Sequence, residues 1–299
     1  MEAEAKTVGI IGLGLIGGSI ALKLRQQGYA GEVLGVDRSD KAVEEALSLG
    51  IIDEGISLES VVDKTDVIIV AIPVDATKKI LPTLLGQCTP NQVVIDMGST
   101  KSAIAKEVVK HRNRFSYVAC HPIAGTENNG PSAAFASLFE NKVNIICDRQ
   151  LSGDSALQEA ITISNHLGMR IKYMDSAEHD RHIAYVSHLS HISSFTLGQT
   201  VLEVEENEKN IFDMAGSGFA STVRLAKSSP EMWAPIFVEN SKNILDVLDA
   251  YIANLERYRN MIEQLNDEAL RNAMIATNRI RTVLENGNKE KIEDKTLIN

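Results

Sequence analysis

The chain has 299 residues, with 40 acidic against 30 basic side chains and a formal charge of −10. That balance argues against a nucleic-acid partner or an anionic membrane surface, since either needs a basic face; a small anionic substrate needs only a few local cations. A hydrophobic fraction of 44% and a charged fraction of 23% describe a folded chain, long enough for two domains and a substantial core.

The apolar run over residues 8–22 follows MEAEAKT, which has two acids where a signal sequence needs a basic region, and it contains five glycines. It is also too short to span a bilayer. Cys88, Cys120 and Cys147 are odd in number and form no CxxC pair, which reads as buried, unreactive thiols in a reducing compartment. A cytoplasmic protein is expected.

Residues 8–11 read as a buried strand and residues 20–24 as a helix, with Gly12, Gly14 and Gly17 spelling GxGxxG between them. In a strand–loop–helix unit Gly12 permits the tight turn, Gly14 the approach of backbone to a pyrophosphate, and Gly17 the close packing of helix on strand. The helix N-terminus, opening at Leu15 and Ile16, then faces the phosphates. Asp37 lies 20 residues past Gly17 at the end of a second strand, placed to accept the ribose hydroxyls of NAD and repel the extra phosphate of NADP. Arg38 weakens that preference.

The alternation continues with a helix over 41–49, a strand over 67–72, a helix over 75–85, a strand over 93–97, a helix over 100–111 and a strand over 117–120. Strands over 143–147 and 171–173 follow, with a helix over 156–167 between them. Strands and helices in this order predict a Rossmann-type, doubly wound parallel sheet over residues 1–174. Residues 175–206 read as one long helix and residues 229–284 as several more, with Pro230 early in the helix that Ser228 and Ser229 introduce. Residues 175–299 are therefore expected to form an all-helical domain. Its richness in Leu, Ile and Ala predicts a homodimer, and its polar tail, residues 286–299, is expected to fray.

In an open parallel sheet, ligands bind outside the carboxyl ends of the strands. The glycine loop, Asp37, Pro73, residues 98–100 and His121 all follow strands, so separate segments point at one crevice. Ser99 suits an N-cap for the helix after it, and equally a hydrogen bond to substrate or nicotinamide. Lys101 is left unassigned. His121 heads HPIAGTE at a strand end, where an imidazole with a pKa near the working pH suits loss of a hydroxyl proton coupled to hydride removal. His188 and His191 lie three apart on the long helix, with His179 and His182 nearby; packing for one of the pair and a substrate hydrogen bond for the other are favoured over a metal site, and no metal is expected. Arg224 can grip a carboxylate through two parallel hydrogen bonds, or form a surface ion pair.

GLGLIGGS, DMGSTK, CHPIAGTE, VSHLSH, GSGFASTVRLAKSSPEMW and ENSK together closely resemble the prephenate and arogenate dehydrogenase family, from about residue 8 to 255. The resemblance implies NAD as cofactor, with Pro73 and Ser99 beside it, and oxidative decarboxylation of prephenate to 4-hydroxyphenylpyruvate in tyrosine biosynthesis. It also implies that His121 is the base on the ring hydroxyl and that Ser99 helps hold that hydroxyl. Arg224 matches a substrate-carboxylate arginine, and His191 the histidine at the pyruvyl side chain. Glu127 and Trp233 match positions that shape or gate the pocket, and Thr126 joins them as substrate-binding. The helical domain would be a dimerisation domain. Some relatives carry an acid three positions before the arginine, where this chain has Ser221. Arogenate, or both substrates, remains an alternative within the family. A second enzyme alternative, another two-domain dehydrogenase of the hydroxyacid type, does not fit HPIAGTE; from a different class, a catalytically silent NAD(H) sensor needs only the cofactor half.

Overall fold

The computed structural model describes residues 5–205, 208 and 210–285. Both the tail 286–299 and the expected helix end at residue 206 lie outside them. The described residues divide between two compact units that part between Ile244 and Leu245.

The first unit opens with β1 (Lys6–Ile11), α1 (Leu15–Gln26), β2 (Ala30–Val36) and α2 (Asp40–Ser48), then β3 (Glu54–Gly55), α3 (Val61–Lys64), β4 (Val67–Val70) and α4 (Val74–Gln87). It continues through β5 (Val93–Asp96), α5 (Ser102–Val108), β6 (Tyr117–Pro122), β7 (Val143–Cys147), α6 (Asp154–His166) and β8 (Arg170–Met174). The eight strands form one sheet in the order β3-β2-β1-β4-β5-β6-β7-β8. Its strands are apolar on both faces. Val8, Ile10, Val67, Ile69, Val93, Ile95, Val118 and Cys120 enter one core, while their neighbours Ile11, Ile68, Val70, Val94, Tyr117 and Ala119 enter the other. This period of two, buried on both sides, is what a sheet covered by helices on each face requires.

The sheet differs from the sequence reading in one pairing. All neighbours are parallel except β6 and β7, which run antiparallel with His121 opposite Ile145. A parallel return needs a crossover element on a face of the sheet. Between Pro122 and Val143 the chain forms only a short 3-10 turn at Pro131–Ala133, so it comes back beside the strand it left. β3, two residues long, was too short to show as a pattern.

The remaining helices of the first unit are α7 (Ser176–Ile183), α8 (Leu189–Glu205), α9 (Ser217–Thr222) and α10 (Pro230–Glu239), followed by the start of α11 (Ser241–Glu263). The long helical pattern after residue 175 is thus interrupted by a π-helical turn at Ala184–His188. Pro230 begins α10 with Ser229 as its N-cap, because a first-turn proline lacks only an N–H that has no intrahelical partner. Trp233 and Ile236 of α10 join the sheet core, and Lys78 on α4 pairs with Glu239 at 2.6 Å. The second unit carries the rest of α11 and α12 (Asp267–Asn278). No helix among the described residues is long and apolar enough to cross a membrane. The three cysteines are buried and free.

At the end of β1 the chain turns through Gly12, whose φ of +98° disfavours any side chain. A Cβ on Gly17 would stand 1.9 Å from the Gly12 carbonyl oxygen, whereas a Cβ on Gly14 would meet nothing within 4 Å. We expect Gly17→Ala to destabilise the protein by about 2 kcal/mol or more through overpacking. Gly14→Ala is expected to stay within about 1 kcal/mol of wild type while losing dinucleotide affinity. Thermal melts beside NADH titrations separate the two, and equal stability losses would contradict the assignment of open space to Gly14.

Candidate active site

β2, β1, β4, β5 and β6 are consecutive neighbours in the sheet and parallel to one another, so their carboxyl ends form one row. Asp37, the glycine loop, Pro73, Ser99 and His121 all sit along it. Leu15 and Ile16 open α1, whose N-cap is Gly14, with no side-chain cap and no acid in the first turn. Its first-turn amides and dipole are therefore open to an anion. The Asp37 carboxylate accepts from Leu13 N and from Ser39 N, each at 2.9 Å, which braces the loop and leaves lone pairs on both oxygens. Arg38 beside it is exposed. Pro73 is the N-cap residue of α4. An uncapped helix N-terminus, a glycine a side chain would not obstruct, and a fixed acceptor at the next strand end fit a dinucleotide.

Ser99 does not cap the helix that follows it. α5 starts at Ser102, without a side-chain cap from its own N-cap residue Lys101. The cap comes from far along the chain: Asp180 on α7 accepts from Lys101 N through Oδ1 and from Ser102 N through Oδ2, both at 2.8 Å. Burial pushes the Asp180 carboxyl upward, but hydrogen bonds from His179 and from these amides outweigh it and hold it below its ordinary range. The half-buried Ser99 hydroxyl is therefore free of capping duty.

His121 lies within β6 and is only 9% exposed. Its Nδ1 stands 2.8 Å from His179 Nε2, and His179 Nδ1 stands 2.8 Å from Asp180 Oδ1. Since the carboxylate only accepts, His179 Nδ1–H donates to it. In the neutral chain His179 Nε2 then accepts from His121 Nδ1–H. The lone pair of His121 Nε2 is left as the proton acceptor. Burial, reinforced by the charges of His179, Lys101 and His188, holds the His121 pKa well below its ordinary value. An imidazole titrating near the working pH, as expected from the sequence, is replaced by one held neutral.

Around the π turn, His188 is wholly buried. Its Nδ1 accepts from Asn240 Nδ2 at 3.2 Å, and the same amide group donates to the Asp180 carbonyl at 2.7 Å. Trp233 lies between the two histidines, edge-on to His188 and stacked on His191 at a ring separation of 3.4 Å. His191 Nδ1 donates to Ser187 O at 3.0 Å, leaving Nε2 free. Burial is the largest influence on His191 and lowers its pKa, with Arg224 adding in the same sense. Arg224 Nη1 pairs with Glu127 Oε2 at 3.2 Å, its side chain 53% exposed. Glu127 thus supplies the acid that Ser221 does not. Thr126 is exposed, its hydroxyl accepting from Asn128 N at 3.2 Å. His182 is exposed, and among the described residues no cluster of His, Cys, Asp and Glu is set to hold a metal ion.

Sequence reasoning missed Asp180 and the role of His179, because their partners lie 58 and 79 residues away. It also passed over Asp96, an acid inside the apolar strand VVID, which accepts from buried Lys101 Nζ and from the Tyr117 hydroxyl. A charge in a strand buried on both faces requires a partner, and Lys101 five residues on was the visible candidate.

Two family descriptions match the chain. Residues 20–173 match the family described as prephenate dehydrogenase, nucleotide-binding domain, and residues 175–276 that described as prephenate dehydrogenase, dimerization domain. A prephenate dehydrogenase of Bacillus subtilis is 33% identical over 90% of this chain and 74% of its own. A cyclohexadienyl dehydrogenase of Zymomonas mobilis is 29% identical over 89% and 91%. The crystal structure of prephenate dehydrogenase from A. aeolicus in complex with hydroxyphenyl propionate and NAD+ superposes with a TM-score of 0.87. It is 29% identical, covering 95% of this chain and 100% of that one.

The buried neutral histidines couple stability to pH. Burial lowers His188 to about 4 and moves His121 in the same direction, while the unfolded chain binds these protons near pH 6.5. The unfolded state therefore takes up protons that the folded state does not. This contribution is fully present above about pH 7 and is lost as pH falls from there toward 4. Urea melts between pH 7.5 and 4.5 are expected to show that decline, and a flat profile would contradict the burial of both rings.

Proposed function

Because the chain belongs to the prephenate dehydrogenase family, we propose that the row of strand ends is its active site and that His121 is the base of an NAD-dependent oxidative decarboxylation of prephenate. The observation that carries this reading is the chain His121–His179–Asp180, which leaves one imidazole lone pair at the end of a strand in the same parallel row as the strand that feeds the glycine loop. The residues of the cofactor cradle would hold NAD, which would supply the acceptor for the hydride on the carbon that bears the ring hydroxyl. As that hydride departs, the hydroxyl becomes strongly acidic, so a base of low pKa suffices. His121 Nε2 takes the proton, and the imidazolium is stabilised through His179 by Asp180, in the way a buried carboxylate serves a catalytic histidine elsewhere. The C–C bond to the ring carboxylate then breaks, carbon dioxide leaves, and the electron pair aromatises the ring onto oxygen. His121 returns its proton to that oxygen, giving 4-hydroxyphenylpyruvate without net proton exchange.

The remaining roles are assigned on the family resemblance. Gly12, Gly14, Leu15, Ile16 and Gly17 with Asp37, Arg38 and Pro73 form the cofactor cradle, and Ser99 orients the hydroxyl and the nicotinamide. Arg224, held by Glu127, binds the side-chain carboxylate; His191, stacked on Trp233, meets the pyruvyl group, and Thr126 lies in the adjoining loop. We assign residues 1–174 to the nucleotide domain and 175–299 to a substrate and dimerisation domain. Homodimerisation is supported by α8, an apolar helix with Ser194 as its one buried residue, by Val186 and Met214, which are 73% and 90% exposed, and by the matched dimerization family. A cytoplasmic setting is supported by the three free, buried cysteines. The likeness to a cyclohexadienyl dehydrogenase keeps arogenate as a second substrate to test.

NADH formation with prephenate and with arogenate, each with NAD and NADP, tests the reading. Prephenate with NAD is the expected pair. His121→Asn is expected to lower kcat by roughly 10² to 10⁴ at nearly constant prephenate affinity, and Arg224→Ala to raise KM by about tenfold or more. Normal turnover in the first variant would remove His121 from the chemistry, and a normal KM in the second would leave Arg224 a surface partner of Glu127.

A further inference from the structure

We infer that Lys101 is a positioning residue that sets His121 for proton transfer by holding both ends of the chain His121–His179–Asp180. One end is Asp180, whose Oδ1 accepts from the Lys101 amide at 2.8 Å. The other is the strand residue immediately before His121: Lys101 Nζ donates to the Cys120 carbonyl at 2.7 Å. A single residue thus fixes where the chain is anchored and where its proton acceptor stands.

The side chain that does this is 0% exposed. An ammonium so deeply buried is tolerated only with a partner, and Asp96 on β5 supplies it. Asp96 is itself fixed by the Tyr117 hydroxyl and by Gly98 N at 2.8 Å, and the Arg114 guanidinium lies 4.7 Å from the centre of the Tyr117 ring. Buried ion pairs contribute little net stability compared with apolar side chains of equal volume. Stability alone therefore gives no reason for a lysine here, whereas the Nζ hydrogen bond to the carbonyl of the residue before His121 does.

The charge has a second effect in the same place. The ionisable groups that act on Lys101 or His121 include Asp96 on β5 with Tyr117 bonded to it, Cys120 on β6, Cys147 on β7, His179 and Asp180 on α7, and His188 on the π turn. Burial pushes Cys120 up to about 12 and raises Cys147 also, so neither thiol offsets the ammonium. Burial first, then His179, Lys101 and His188 in turn, oppose a proton on His121. Removing the lysine's charge moves His121 toward easier protonation.

This inference rests on His121 being the base, so His121→Asn is measured in the same series. The other variants are Lys101→Met and the double variant Asp96→Asn/Lys101→Met, which replaces the buried pair by neutral groups of similar size. Initial rates with prephenate and NAD are followed against pH, with NADH affinity as a check of the fold. We expect the double variant to bind NADH as wild type does, to lose about 10- to 100-fold in kcat from a misplaced base with little change in KM, and to shift the acid limb of kcat/KM to higher pH. A fall in kcat with the acid limb in place, or an unchanged profile, would overturn the inference while leaving His121 as base. A double variant that no longer folds would assign the pair to the core and overturn it equally. Full turnover by His121→Asn would overturn the underlying reading as well.

Discussion

The carboxylate of Asp180 is the point from which the site is built. It accepts from His179 and from the first amides of α5, while its own carbonyl takes a hydrogen bond from Asn240 at the join of α10 and α11. One residue therefore satisfies helix-terminal donors that would otherwise be orphaned in the interior, fixes the polarity of the two-histidine chain, and ties α7 to α5. Each of these needs the carboxylate ionised, and its hydrogen bonds keep it so against the cost of burial. His121 is kept neutral by burial first, with His179, Lys101 and His188 adding in the same sense.

The sheet supplies the rest by placement. Five parallel neighbours end along one row, so Gly12 and His121, more than a hundred positions apart in sequence, both stand at the same edge of the sheet. The reversal at β7 closes this row just past His121, and the chain that makes the reversal carries Thr126 and Glu127. The loop that carries the proposed substrate contacts is thus a product of the missing crossover helix.

How much of this was legible depended on how local the signal was. GxGxxG, the acid 20 residues later and the apolar runs are short-range patterns, and they gave the parallel sheet, the cofactor loop and His121 at a strand end. Of the two roles open to Ser99 in the sequence, the cap is the one the structure removes: a hydroxyl ahead of a helix is a good local cap, and nothing nearby reveals a carboxylate arriving from 79 positions further along. The ion pair of Arg224 with Glu127, 97 residues apart, was invisible for the same reason. The π turn was unreadable because its periodicity departs from the helical one over only five residues. Asp96 was the missed opportunity, since a charge inside a doubly buried strand carries its own demand for a partner.

The claim on which all of this turns is that His121 rests as a neutral imidazole whose Nε2 is unprotonated. Nitrogen-15 NMR of the histidine-labelled protein, with His121 identified by its absence in His121→Asn, reads tautomer and protonation directly. The account predicts a neutral ring with its proton on Nδ1, unchanged through the range in which an ordinary histidine titrates. A His121 signal that titrates near 6.5, or one with the proton on Nε2, would contradict it.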